Sequence, residues 1–263
     1  MKRLFQIFLL ILAVWWSLTA LIALFRASQN HNDECVDSMK EQRDLTIHER
    51  SWHLISSSSS FCVNYHTNSD QFNFATDSRL KSIGQVHDTR NPWGDIYNQL
   101  VQDKESIAFL VDSLSAIAAN RQLQGYELSE MIVTMVQDIP YSFVIPGKCE
   151  EYDTDGKPCV GDVRWGLYSP YEFLHTEMGD CDTRAVLVYA VLEEFGFDPA
   201  ILVSDQYSHA MIALSIPTAG DYLLHQGKKY YFWETTAKGW MAGMLPPSYN
   251  NVDYWKIVLA HEL

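Results

Sequence analysis

The chain is poor in basic side chains. Lysine and arginine number 19 against 33 aspartates and glutamates, so the net charge is −14 at pH 7. A partner such as nucleic acid or an anionic membrane surface requires a basic patch on the protein. The composition therefore excludes nucleic acid as an expected partner and favours a soluble ectodomain.

The sequence also lacks a Cys-x-x-Cys pair and an internal repeat, so neither a zinc site nor a repeat architecture is expected. Acidic residues between Glu151 and Asp162 match the spacing of a calcium-binding loop only faintly. Pro158 and the neighbouring cysteines oppose that geometry, and an acidic Asp-Gly turn explains the same residues. We expect no metal and no cofactor.

The chain has 5 cysteines. Cys181 is a candidate nucleophile, and the other four cysteines allow three pairings. Cys149 and Cys159 flank a turn-rich loop, which favours the pairs Cys149–Cys159 and, by elimination, Cys35–Cys62. Four free buried thiols are the alternative. An even set of bonded cysteines plus one free thiol fits an oxidising compartment.

An apolar run covers residues 4–25 with three polar interruptions. About 22 residues in a helix extend roughly 33 Å, which is enough to cross a bilayer core. A cleaved signal peptide is the alternative, but its apolar region is usually shorter and ends in a small-x-small site. We interpret residues 1–27 as a signal-anchor. Lys2 and Arg3 precede the span, which predicts a cytoplasmic N-terminus and a periplasmic or extracellular C-terminal domain.

The remaining chain divides by composition into two parts. Residues 28–92 are interpreted as a juxtamembrane stalk and a small β-rich extension. Within it, alternation around Trp52 and Phe61 predicts two strands joined by a serine-rich connection, with a flexible linker as the alternative. Residues 68–92 are polar and loop-like. Residues 93–263 form the expected catalytic domain, which begins with a long helix broken near Asp103, has a further helix over residues 127–138, and ends in a strand that closes the sheet.

Residues 178–185 predict a turn that enters a helix with Cys181 in its first turn. Ala185, Val188 and Leu192 continue an apolar face, and Gly196 is a plausible end of the helix. A thiol at a helix N-terminus is exposed to the positive end of the macrodipole and to free backbone N–H groups. Both favour the thiolate and predict a pKa below the free value of about 8.5.

Three strands are predicted after this helix. They cover residues 200–204, residues 208–214 with His209 at the start, and residues 229–236 with Glu234 near the end. If the last two strands are adjacent and antiparallel, His209 and Glu234 lie side by side and face the N-terminus of the Cys181 helix. That supplies a nucleophile, a base and a residue that orients the base.

Residues 179–181 (Gly-Asp-Cys), 208–210 (Ser-His-Ala) and 233–236 (Trp-Glu-Thr-Thr), preceded by residues 136–141, resemble the transglutaminase-like cysteine enzymes of the papain-like superfamily. The resemblance covers residues 127–240. It implies an α+β fold, in which a nucleophile helix packs on an antiparallel sheet. It also implies Cys181 as nucleophile, His209 as base and Glu234 as the third member, although that position is more usually Asp.

The expected oxyanion donors are the backbone N–H of Cys181 and a side chain from Gln137 or Tyr141. The predicted activity is attack on an amide bond of a protein, a peptide or a cell-wall amide through a thioester acyl-enzyme. Water as acceptor makes the chain a protease or amidase, which we expect because water is always present outside the cell. An amine acceptor makes it a cross-linking transglutaminase or acyltransferase, which is the alternative. A membrane-anchored interaction module with a vestigial triad is the alternative from another class.

Overall fold

The computed structural model describes residues 36–37, 45–57, 59–86 and 90–260. The predicted membrane anchor and Cys35 lie outside these residues. No helix within the described ranges is both long enough and apolar enough to cross a bilayer.

The described chain has an α+β architecture, as predicted. The helices are α1 (Ser69–Ile83), α2 (Pro92–Val101), α3 (Ala108–Arg121), α4 (Gly125–Asp138), α5 (Pro170–Thr176) and α6 (Cys181–Glu194). The strands are β1 (Val36–Asp37), β2 (Leu45–His53), β3 (Ser60–Asn68), β4 (Phe143–Val144), β5 (Cys159–Val160), β6 (Pro199–Ser204), β7 (His209–Leu214), β8 (Tyr222–His225), β9 (Lys228–Trp233) and β10 (Lys256–Ala260).

The central sheet has 5 strands in the order β10-β6-β7-β9-β8. All its pairs are antiparallel, and β10 pairs with β6, so the C-terminal strand closes the sheet as predicted. Every residue of β6 is buried because both faces of the sheet are covered. Helix α6 packs on one face, and a smaller cluster around Phe232 and Trp255 covers the other.

Both ends of α6 follow from the local sequence. Asp180 is the N-cap, and its side chain accepts a hydrogen bond from the Thr183 N–H. At the other end, Gly196 has a φ of +74° and its N–H donates to Glu193, while the Phe197 N–H donates to the Leu192 carbonyl. This is a Schellman ending, which requires a left-handed residue after the helix. Gly196 therefore ends the helix as the sequence predicted.

The predicted long helix after Trp93 is broken at the expected place. Helix α2 ends at Val101, a 3₁₀ turn covers Glu105–Ile107, and α3 begins at Ala108. Helix α4 follows at Gly125 and ends just before Pro140, as its apolar pattern indicated. These helices share the main core with α6.

The serine-rich segment is the turn of a β-hairpin, which confirms the two predicted strands. Strands β2 and β3 pair with Trp52 opposite Phe61. The buried Glu130 of α4 accepts hydrogen bonds from the N–H groups of Ile55 and Ser56, at 2.8 and 2.7 Å. The turn is thus fastened to the helices, and the flexible-linker alternative does not hold for its described residues. Strand β2 begins at Leu45, within the segment expected to be stalk.

The loop-like interpretation of residues 68–92 is wrong, because α1 occupies much of this segment. Asn68 caps it by accepting from the Gln71 N–H at 2.7 Å. The buried face of α1 contains Arg79, which forms a paired ion bridge with Glu172 of α5. A helix that buries a charged pair has no continuous apolar stripe, so the periodicity did not reveal it.

The predicted disulfide Cys149–Cys159 is present, and β4 and β5 pair beside it. Cys62 is also disulfide-bonded, while its predicted partner Cys35 is outside the described residues. Side chains on both sides of the boundary predicted at residues 92 and 93 belong to one hydrophobic cluster, from Trp52 of the hairpin to Val258 of β10.

Candidate active site

Cys181 is the first residue of α6 and is 9% exposed. It is the free cysteine of the described chain. Its own backbone N–H has no partner within the helix, as expected for a first-turn residue. The backbone N–H of Ala210 in β7 donates to its sulfur. The sulfur therefore lies between the start of the helix and the start of the strand that carries His209.

The thiol of Cys181 is not electrostatically activated in the way that the sequence predicted. Burial raises its pKa well above the ordinary value, and Asp182 and Asp180 raise it further when they are ionised. Burial also raises the pKa of both of these carboxyls, that of Asp180 to about 8. The hydrogen bond from Ala210 acts in the opposite direction but is smaller. Loss of hydration and two adjacent carboxylates thus outweigh the helix N-terminus, and Cys181 is a neutral thiol at pH 7.

His209 begins β7 and lines the same cleft as this thiol. Its Nε2 lies 2.9 Å from Oε2 of Glu234. When Nε2–H donates to the carboxylate, Nδ1 carries the lone pair and can accept a proton from Cys181. Both Cys181 and His209 line a cleft of about 340 Å³, whose other walls include Trp93 and Tyr97.

Glu234 directly follows β9 and is 1% exposed. Its Oε1 accepts from the N–H groups of Thr235 and Thr236, both at 2.8 Å, and from the Thr236 hydroxyl at 2.7 Å. Burial alone would raise the pKa of this carboxyl, but the His209 contact and the Thr236 bonds hold it below its usual range. Glu234 is therefore an ionised acceptor with a fixed orientation, and both of its oxygens are used.

The two side chains predicted as oxyanion donors have different environments. The amide nitrogen of Gln137 donates to the backbone carbonyls of Glu234 and Trp240, at 2.7 and 2.8 Å. Both of its N–H bonds are used, so Gln137 has no donor left for an oxyanion and instead supports Glu234. Burial raises the pKa of Tyr141, and the neighbouring Cys181 and Asp180 act in the same direction, so its hydroxyl stays protonated and can donate.

Sequence reasoning missed Arg184, which is fully buried one helical turn after Cys181. Its guanidinium donates to the carbonyls of Gly179, Val136, Ile139 and Pro140 at 2.7–2.9 Å, and to Thr235 at 3.4 Å. One side chain thus connects the segment before the nucleophile, the end of α4 and the segment after Glu234. Burial lowers its pKa to about 10, so it is charged at neutral pH. Arg184 is the one lysine or arginine of α6 and directly precedes the apolar residues 185–192, which was the available signal.

Aromatic residues from the C-terminal segment also belong to the site. The ring of Tyr249 stacks on the imidazole of His209 with centroids 4.6 Å apart, and Trp255 contacts it edge-on at 5.9 Å. The Trp255 indole N–H donates to the Tyr249 carbonyl at 2.9 Å. These aromatic rings cover one side of the His209 imidazole. The sequence showed an aromatic tail but not where it would pack.

Comparison with known proteins adds no family: no family model, curated protein or solved structure matches the chain. Among the described residues, no group of three or more His, Cys, Asp or Glu side chains could hold a metal ion. The site thus contains a thiol and an imidazole that line one cleft, and a buried carboxylate that orients the imidazole. Such a set can perform nucleophilic acyl transfer.

Proposed function

We propose that the chain is a membrane-anchored, transglutaminase-like thiol enzyme that acts on amide bonds through Cys181, His209 and Glu234, as a protease or amidase. One observation carries the proposal. His209 holds Nε2 at 2.9 Å from the buried Glu234 while it shares a cleft with Cys181. A buried carboxylate that fixes an imidazole next to a thiol is the constellation that covalent acyl transfer needs.

The mechanism follows from the protonation states. Because Cys181 is a neutral thiol, His209 takes its proton through Nδ1 as the sulfur attacks the carbonyl carbon. The backbone N–H of Cys181 and the Tyr141 hydroxyl donate to the oxyanion. The imidazolium then gives its proton to the leaving amine as the C–N bond breaks, which leaves a thioester. His209 next takes a proton from a water, whose oxygen attacks the acyl carbon. The C–S bond breaks, the acid is released and the imidazolium returns its proton to the sulfur.

The proposed location is outside the cytoplasm, with residues 1–27 as the anchor. The Cys149–Cys159 disulfide supports an oxidising compartment. The net charge of −14 fits a domain that is held near a membrane without binding to its anionic surface. The substrate is accordingly a protein, a peptide or a cell-wall amide.

A second function, a binding module with a vestigial triad, is favoured by one observation. Burial and two carboxylates raise the pKa of Cys181, whereas reactive cysteines generally have a lowered pKa. On this hypothesis the His209–Glu234 contact only stabilises the pairing of the interior strands β7 and β9.

Alkylation of the full-length chain with iodoacetamide, disulfides intact, separates the two hypotheses. An enzyme should lose most of its alkylation rate at pH 7 on His209→Ala, because the base that takes the thiol proton is gone. A structural thiol should react equally slowly in both proteins. Incubation with a peptide mixture in H₂¹⁸O then tests the reaction: hydrolysis places ¹⁸O in new carboxylates, transamidation does not, and Cys181→Ala abolishes both.

A further inference from the structure

The charged side chains that line the cleft are acidic apart from His209. Asp182 and Asp205 contribute carboxylates, and no lysine or arginine of the described chain is among the lining residues. The aromatic Trp93 and Tyr97 form another wall. A cleft with carboxylates, an aromatic face and no competing cation suits a positively charged ligand.

Asp182 is held in place by its neighbours. Its Oδ1 accepts from the hydroxyl of Tyr97 at 2.7 Å. Tyr97 is itself fully buried and stacks on Trp93 with centroids 5.7 Å apart. Oδ2 accepts no hydrogen bond from any described residue. One carboxylate oxygen next to the nucleophile is therefore fixed in position and available.

Asp205, the other carboxylate that lines the cleft, has a different environment. Its side chain is 77% exposed, and Oδ2 pairs with Lys256 at 2.7 Å. Water screens such a charge and Lys256 already neutralises it. Asp182, by contrast, pairs with no lysine or arginine of the described residues. Burial raises the pKa of its carboxyl, while the Tyr97 hydrogen bond and the charge of His209 lower it.

We propose that the cleft selects acyl donors with a cationic group beside the reacting carbonyl, and that Asp182 binds this group against the wall formed by Trp93. The inference rests on the proposed function and adds a substrate class to it. A lysine- or arginine-like side chain in the acyl residue has the required chemistry. The cleft volume of about 340 Å³ accommodates such a group.

The same contact would activate the nucleophile. Burial raises the pKa of the Asp182 carboxyl, and when this group is ionised its negative charge opposes formation of the thiolate one residue away. A cation on Oδ2 cancels that charge, so that binding of the correct substrate favours loss of the Cys181 proton. Asp182 thus both selects the cationic substrate and favours ionisation of Cys181 once that substrate is bound. A neutral acyl donor would have neither effect.

The test uses methanethiosulfonate reagents of equal size and different charge on the full-length chain. The aminoethyl reagent is cationic, the hydroxyethyl reagent neutral and the sulfonatoethyl reagent anionic. Each rate is measured by mass spectrometry of the Cys181 adduct and divided by the rate with free 2-mercaptoethanol. We expect the cationic reagent to react about tenfold faster than the neutral one, since a charge-assisted contact contributes at least that factor.

Two variants assign the effect to one residue. Asp182→Asn retains an acceptor for Tyr97 and should bring the cationic-to-neutral ratio close to one, while Asp205→Asn should change it less than about twofold because exposed charges contribute little. Equal rates for all three reagents in the wild type, or a ratio that survives Asp182→Asn, would overturn the substrate inference and leave the proposed function intact. Absence of reaction with every reagent would instead count against both.

Discussion

The ring of Tyr249 lies almost parallel to the imidazole of His209, with centroids 4.6 Å apart and planes inclined by 24°. A stacked aromatic ring fixes the orientation of the base and stabilises the imidazolium that forms during acyl transfer. We expect Tyr249→Leu to reduce the rate of peptide hydrolysis and of Cys181 alkylation at pH 7 by about tenfold, given about 0.5–1.5 kcal/mol for an aromatic pair plus a disoriented base.

Tyr249→Phe is the matched control, because it retains the ring and removes only the hydroxyl. It should stay within about twofold of the wild type on the same aromatic-pair argument. An equal loss in both variants would mean that the hydroxyl, and not the stacking, serves the reaction.

Glu234→Gln should reduce turnover by about 10³-fold to 10⁴-fold, the range expected when the carboxylate that fixes the tautomer of a catalytic histidine becomes an amide. The glutamine oxygen can replace Oε1 as acceptor for Thr235 and Thr236, which leaves an NH₂ group facing His209. The imidazole must then accept through Nε2 and present N–H to Cys181. Steady-state hydrolysis measures the loss of turnover, and an unchanged near-UV circular dichroism spectrum shows that the loss is not due to unfolding.

Glu234→Asp tests the length of this side chain. Aspartate is one methylene shorter and cannot reach His209 at 2.9 Å while it accepts from Thr236. We expect a partial loss of activity that is smaller than the loss in Glu234→Gln. Wild-type activity in Glu234→Asp would show that the longer acid has no positional role.

Replacement of Arg184 should destabilise the fold. Arg184→Met leaves the carbonyls of Gly179, Ile139 and Pro140 without their donor in a buried site. Unpaired buried acceptors cost about 1–3 kcal/mol each, so we expect the free energy of unfolding to fall by more than about 3 kcal/mol in urea titrations. The exposed Arg164→Met is the control and should change it by less than about 1 kcal/mol.

Stability should decrease in mild acid because of His48. Burial, together with the charges of His175 and Arg50, lowers the pKa of His48 from the ordinary 6.5 to about 4. Between pH 6.5 and pH 4, His48 therefore binds a proton in the unfolded chain but not in the folded chain. The folded state loses stability as the pH falls through this window. A shift of this size corresponds to roughly 3 kcal/mol.

Urea unfolding at pH 7 and pH 4.5 measures the effect against His48→Gln, which cannot titrate. The wild type should lose more stability than the variant between the two pH values. The same loss in both proteins would assign the acid sensitivity to other groups.

Most of the correctly predicted strands and helices come from alternating or continuous apolar runs in the sequence. His209 and Glu234 were predicted to be neighbours because the strands predicted to carry them were short, apolar and consecutive. The structure has a further strand, β8, between them along the chain, but β8 lies at the edge of the sheet, so β7 and β9 still pair. Helix α1 was missed because Arg79 occupies its buried face and pairs with Glu172, which is far away in sequence. A charged residue such as Arg79 in a helix is normally taken as solvent-exposed, and only the contact with Glu172 shows that it is buried.

The properties of the thiol could not be obtained from sequence for a related reason. The position of Cys181 at a helix start is a local property and was predicted correctly. Its pKa depends on how much water the surrounding elements exclude and on which carboxylates approach, and those are properties of the packed fold. Gln137 was likewise assigned to the wrong task, because its bonds to Glu234 and Trp240 connect residues about a hundred positions apart.

The serine-rich hairpin turn bears on how this chain can be cut or recombined. Trp52 donates its indole N–H to Met131 of α4 at 3.0 Å, Glu130 of the same helix holds the turn, and Gln137 at its end holds Glu234. A fragment that starts at residue 93 would leave this helix with a bare apolar flank and an unpaired buried carboxylate. Expression or grafting of the triad as an independent unit therefore has to include the chain from Leu45 onward.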